Sequence, residues 1–128
     1  MDVTPLVPEG VQLIHGYGDG GFRIAQLLHR GPVLVMSETT LAWTVDPATA
    51  LAPLDLGPLE PILSAEGGYD ILLIGSGARQ VFVPPAVRQA IRERGPVAES
   101  MDTGAACRTF NLLLAEGRRV AAALLPVG

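Results

Sequence analysis

Residues 101–126, MDTGAACRTFNLLLAEGRRVAAALLP, set out a helix start, an amphipathic helix, a glycine stop and an apolar strand in direct succession. Asp102 and Thr103 are both N-cap types, because a short side-chain oxygen can accept a hydrogen bond from an orphan amide of the first turn. Gly117 stands where a helix needs a left-handed residue to stop. Steps of about 100° per residue place Ala106, Phe110, Leu113, Leu114 and Gly117 on one face. Burying Phe110 and the two leucines stabilises the fold by roughly 1.5–3 kcal/mol each. Leu112 lies on the opposite side with Ala105 and Ala115, so that side is either covered by a further layer or left for a partner. After Arg118 and Arg119 the run VAAALLP, ended by proline, reads as a buried strand. A second line, Thr103, Cys107 and Asn111, follows i, i+4, i+8 spacing along one edge of the helix. It is either a cap with two polar residues tolerated at the core margin, or the lining of a small site at the helix N-terminus.

Working outward, YDILLIGSG (69–77) carries four consecutive apolar residues, Ile71 to Ile74, as a central strand covered on both faces does. Pro84-Pro85 then open a helix on which Val87, Ala90 and Ile91 share a face and which Gly95 stops. Val97 and Ala98 lead a further strand into Met101. Strand, helix, strand, helix, strand define an α/β protein with a right-handed crossover. Upstream, VQLIHGYGDGGFRIAQ (11–26) reads as a β-hairpin in which Val11, Leu13 and His15 alternate with Gln12 and Ile14, with GYGDGG as the turn. GPVLVMS and TLAWTV form a second strand pair around Ser37, Glu38 and Thr39, with Trp43 as a core residue of the last strand. DPATALAPLDLGP is a proline-rich connector. A short helix opens at Pro58 or Leu59, runs to Ala65 and is stopped by Gly67-Gly68, while residues 1–10 form an extended lead-in. The expectation is one three-layer domain over residues 1–128. It has a single mixed β-sheet, N-terminal β-hairpins and a C-terminal β-α-β-α-β unit flanked by helices. An edge strand of the hairpins offers a route to a homo-oligomer.

Composition removes several functions. With 128 residues, 48% hydrophobic and 17% charged, the chain has a sizeable core and is not a disordered segment. Its net charge of −4 argues against nucleic acid as a partner. All nine basic residues are arginine, which excludes a phosphate-loop lysine and Schiff-base chemistry on this chain. Cys107 is the sole cysteine, so no internal disulfide or multi-thiolate cluster forms, and His15 and His29 lack metal-site spacing. No metal or cofactor is expected. No apolar run reaches the roughly 20 residues of a membrane span, and MDVTPLVPEG lacks the pattern of a targeting segment, so the expected compartment is the cytoplasm.

If the strands at 70–75 and 97–101 are parallel, their carboxyl ends bring Gly75, Ser76 and Gly77 opposite Thr103 and Gly104, the edge where open α/β sheets bind ligands. Helix amides there favour anions, and Arg79 adds a cation. Two features oppose a ligand site. Asp102 already places negative charge at the helix start. Extended VFVPP, not a helix, follows the glycines, so this is no dinucleotide or phosphate loop. A tight turn explains both glycines equally well. Ser76 lies in IGSGA, which fails the GxSxG nucleophile pattern. Cys107 is either activated by helix amides or simply packing. Arg88 and Arg92, together on one helix face, are a solvated surface or a docking patch for an acidic partner.

Glu99, Met101, Asp102, Thr103, Ala106, Asn111, Glu116, Gly117, Arg118 and the AAAL strand, with Gly75 and Gly77 upstream, carry a resemblance. So does the IHGYGDGGFRI hairpin. The chain resembles the Mth-type domain family of unknown biochemical function, which includes a mitochondrial assembly factor of respiratory complex I. The family's glycine loop is GTG-like; GSG here keeps the hydroxyl. The resemblance implies a three-layer α/β fold and a non-enzymatic protein-interaction role, with subunits of a membrane respiratory complex as partners. The alternative reading is a small-anion or metabolite site, or a weak enzyme, built from Gly75, Ser76, Gly77, Arg79, Thr103, Gly104, Cys107 and Asn111.

Overall fold

Val120–Leu124 (β8) is buried along its whole length, and the other layers close on it from both sides. Three of its five residues are alanines, and such small side chains let those layers approach the sheet closely. The computed structural model describes residues 10–51 and 53–128, so the expected lead-in over residues 1–10 lies outside it except for Gly10. Beside β8 run Val33–Val35 (β4), antiparallel, and Ile71–Gly75 (β6), parallel. Thr40–Ala42 (β5) and Val97–Met101 (β7) complete a five-stranded sheet in the order β5-β4-β8-β6-β7.

Alternation sorts this sheet's side chains to two faces. Leu34, Leu72, Ile74, Ala98, Ala121 and Ala123 meet Trp43, Leu59, Ile62, Leu63 and Ile91 on one side. This layer holds the 3-10 turn Gly57–Leu59, the short helix Glu60–Leu63 (α1) and the helix Pro85–Glu93 (α2), with Pro85 in its first turn. On the other side Val33, Val35, Leu73, Val120, Ala122 and Leu124 meet Ala106, Cys107 and Phe110 of the helix Thr103–Ala115 (α3), together with Ile14, Phe22 and Ile24. The result is three-layered and α/β, with the C-terminal β-α-β-α-β unit expected from the sequence. α3 starts and stops as its caps dictate: Asp102 Oδ1 accepts from Ala105 N–H at 2.9 Å, and Gly117 takes φ +77°.

The N-terminal region departs from expectation. It does not join the main sheet but forms a three-stranded antiparallel sheet of its own, Ile14–Gly18 (β1), Gly21–Ile24 (β2) and Leu27–Arg30 (β3). Asp19-Gly20 makes the first turn with φ of 51° and 77°, the conformation that Asp-Gly favours. The second turn is Ala25-Gln26, also left-handed at φ 47° and 70°. Neither residue signals such a turn, which is why β3 is hidden in the sequence. The register slips between Ile14 and Gly16. This bulge turns Ile14, not His15, into the core, and Gln12 is buried in place of Val11 and Leu13. The second strand pair, β4 with β5, folds as read, and Trp43 is buried beyond its end.

Candidate functional site

β6 and β7 are parallel, with Gly75 opposite Met101, so their carboxyl ends share one rim. There the GSG loop and the start of α3 are bonded directly to each other. Gly77 N–H donates to Thr103 Oγ1 and Thr103 N–H donates to the Gly77 carbonyl, both at 2.8 Å. The Thr103 hydroxyl donates onward to the Leu125 carbonyl at 2.6 Å, and Leu125 N–H returns to the Gly75 carbonyl at 2.9 Å. One buried threonine thus ties together the exits of β6 and β8 and the entrance of α3. Glycine is required in this junction. A Cβ on Gly75 would lie 2.8 Å from Leu124 Cδ2 and 3.0 Å from Thr103 Oγ1, and Gly77 has φ +91°.

The other predicted site residues divide by environment. Ser76 is buried; its hydroxyl donates to the Arg79 carbonyl at 2.5 Å and accepts from Val81 N–H at 3.0 Å. It therefore braces the 76–81 turn, while His15 and His29 sit on the separate small sheet. The side chain of Arg79 is exposed. Gly104 is overlaid by the Tyr17 hydroxyl, which would lie 2.4 Å from an added Cβ. Cys107 packs in the core, and burial pushes its thiol up from 9.0 to about 12, so it is the reverse of an activated cysteine. Asn111 binds the backbone of Ile14 at both of its amide atoms.

A depression of about 170 Å³ adjoins the junction, lined by Pro47, Ala48, Leu51, Ser76, Val81 and Leu125. Among the described residues no group of His, Cys, Asp and Glu could hold a metal ion, and no helix is long and apolar enough to cross a membrane. The surface is more distinctive than this depression. Phe82 is 82% exposed, Leu27 64%, Leu112 59% and Leu28 56%. Leu112 was legible from the helical period. Leu27 and Leu28 were not, since β3 itself was hidden, and Phe82 follows no periodic pattern.

The fold is that of the Mth938-like domains. The chain belongs to the family described as protein of unknown function (DUF498/DUF598), whose model matches residues 14–125. A protein of Rhodobacter capsulatus is 41% identical over 119 residues, covering 92% of this chain and 87% of that protein. The human NADH dehydrogenase [ubiquinone] 1 alpha subcomplex assembly factor 3 is 34% identical over 113 residues. That match covers 88% of this chain but 60% of the human protein, so the chain spans well under two thirds of the human relative. The crystal structure of an outer membrane protein from Bartonella henselae superposes with TM-score 0.80 at 34% identity, covering 94% of this chain and 98% of that one. The solution structure of a Bordetella pertussis Mth938-like domain superposes with TM-score 0.74 at 32% identity, covering 98% and 92%.

Proposed function

We propose that the chain is a non-enzymatic protein-interaction domain that serves as an assembly factor for a membrane respiratory complex of the complex I type, acting from the cytoplasm at the face of that complex. The observation that carries this reading is the 34% identity to the human complex I assembly factor along 88% of the chain. The exposed apolar side chains of β3, α3 and the loop before α2 support it, since apolar surface left in water is where partners bind. The chemistry of the rim supports it too: the hydroxyls of Ser76 and Thr103 already bond within the chain, and Asp102 occupies the helix start. Affinity purification of the tagged chain from native membranes tests the role. Co-purification of respiratory-complex subunits is expected; recovery of none would overturn it.

The second reading is a small-anion or metabolite site at Gly75, Ser76, Gly77, Arg79, Thr103, Gly104, Cys107 and Asn111. The depression beside Ser76 and the exposed guanidinium of Arg79 are the features that favour it. A thermal-shift screen against phosphate, sulfate and a metabolite panel separates the two. Stabilisation by one of these, lost in Arg79→Ala, would replace the interaction reading with the ligand one.

A further inference from the structure

β3 is the outer strand of the small sheet: β2 pairs with it on one side, and no strand of the described residues lies on the other. This edge is in water. Leu27 and Leu28 are more than half exposed, and Arg30 is exposed as well. The ladder fixes where its backbone groups point. Gly31 N–H donates to the Gly20 carbonyl, so by alternation Phe22 with His29 and Ile24 with Leu27 are the bonded pairs. Ala25 N–H donates the other way, to the Leu13 carbonyl. Leu28 and Arg30 therefore direct their N–H and carbonyl groups outward, where no described residue bonds them.

The two faces of this edge differ. Phe22 and Ile24 are buried in the core, so Arg23, and with it Leu28 and Arg30, face away from it. These three border a depression of about 270 Å³ whose floor holds Gly16, Gly18 and Gly21. A Cβ on Gly16 would meet nothing within 4 Å, and its backbone is not left-handed, so neither crowding nor conformation demands that glycine. Arg23 and Arg30 take part in neither ion pair formed among the described residues, which are Arg94 with Glu60 and Arg119 with Asp70. Asp19, at the same rim, meets Arg30 through its backbone: its carbonyl accepts from Arg30 Nη1 at 3.2 Å. On the inward face Leu27 carries the row of Ile14 and Ile24 past the core into water. A second copy paired antiparallel, β3 to β3, would set the arginines of both chains on one face of the joined sheet, so charge disfavours it as the occupant.

We propose that the open edge of β3 takes up an extended segment of a partner protein as a further antiparallel strand, with a carboxylate beside Arg30 and apolar side chains beside Leu28 and Leu27. Recognition by strand addition takes affinity from backbone bonds and specificity from alternate side chains. The outward groups of Leu28 and Arg30 supply the bonds. Charge selects the segment, because Arg30 borders the added strand and Arg23 stands one strand behind it on the same face. Residues opposite each other share a face, so the segment reads acidic, any, apolar, apolar from the Arg30 end to the Leu27 end. This inference rests on the interaction reading and names the chemistry of the partner.

The test uses the full chain and the peptides TVETVVT and TVKTVVT. TVETVVT is expected to bind saturably, to shift the backbone amide resonances of Leu28 and Arg30, and to slow the exchange of both amides with solvent. The His29 amide, already bonded to β2, is expected to keep its exchange rate. Affinity is expected to fall at least tenfold for TVKTVVT, and at least tenfold for TVETVVT against Arg23→Glu/Arg30→Glu. Both substitutions are on exposed side chains, and the circular dichroism of the double variant checks that it folds; the exchange measurement on the wild type needs no variant. No saturable binding of TVETVVT, equal affinity for the two peptides, Leu28 and Arg30 amides already protected in the free chain, or shifts confined to another edge would overturn the proposal. So would a homodimer in sedimentation whose contact maps to β3. The affinity purification, repeated with Arg23→Glu/Arg30→Glu, separates this failure from the broader one: subunits recovered undiminished would refute the β3 edge and leave the interaction reading standing.

Discussion

Asn111 holds Ile14 by both of that residue's backbone groups: its Oδ1 accepts from Ile14 N–H at 2.9 Å and its Nδ2 donates to the Ile14 carbonyl at 2.7 Å. The amide stands in for a neighbouring strand and pins the small sheet to α3. Asn111→Ala leaves two partly buried backbone groups without partners, a loss of about 1–3 kcal/mol. A fall in Tm on the order of 5 °C is expected. Asn111→Asp keeps the acceptor but sets a carboxylate against the Ile14 carbonyl. It is expected to be no better than alanine near neutral pH. Thermal denaturation followed by circular dichroism checks both.

Gly75 and Gly104 are both crowded, but by different neighbours. An added methyl at Gly75 meets Leu124 at 2.8 Å and the Thr103 backbone at 3.2 Å, atoms fixed inside the sheet and helix. At Gly104 it meets the free ends of two side chains that can swing outward, Tyr17, which is 43% exposed, and Arg108 at 3.3 Å. Gly75→Ala is therefore expected to cost about 1–3 kcal/mol and Gly104→Ala much less. Urea unfolding midpoints measure the difference; equal costs would show that the junction is not the rigid point of the rim.

The closing helix and strand were legible because every local signal agreed: Asp102 as cap, Phe110 and Ala106 on the inward face, Gly117 as stop and an uninterrupted apolar β8. The small sheet was only half legible. Asp19-Gly20 announces its turn, whereas Ala25-Gln26 adopts left-handed backbone without a residue that favours it. The bulge at Ile14–Gly16 then exchanges the inward and outward faces that simple alternation gives. At the rim, the parallel strands make Gly75–Gly77 and Thr103 meet as their positions predict. What they do there was not legible. The Thr103 hydroxyl acts on Leu125, 22 residues away, and Asn111 on Ile14, 97 residues away, and no local pattern records such partners.

The Ala25-Gln26 turn carries its own prediction. Left-handed backbone costs a non-glycine residue roughly 1–2 kcal/mol, and Asn-Gly relieves it. Ala25→Asn/Gln26→Gly is expected to raise Tm by a few degrees with β3 still paired to β2. An unchanged or lowered Tm would mean that Ala25, packed against the core beside Ile24, contributes more than its backbone strain removes.

Cys107 gives a pH dependence of definite sign. Burial raises its thiol from 9.0 to about 12 in the native state, so the native chain keeps the proton where the unfolded chain releases it. The associated stability is fully present below about pH 9 and is lost as pH rises towards 12. The stability difference between the wild type and Cys107→Ala is expected to shrink over that interval in urea titrations. At pH 8 a thiol reagent is expected to modify Cys107 in urea and not in the native chain.

The proposed role of this domain, binding protein during assembly of a membrane respiratory complex, is tested by the state of that complex in source cells lacking the chain. On native gels, loss of the mature NADH dehydrogenase complex with accumulation of subassemblies is expected. The wild-type chain is expected to restore the complex, whereas Leu27→Glu/Leu28→Glu, which places charge on the exposed apolar edge, is expected not to. Mature complex at its normal level in cells without the chain would contradict the claim.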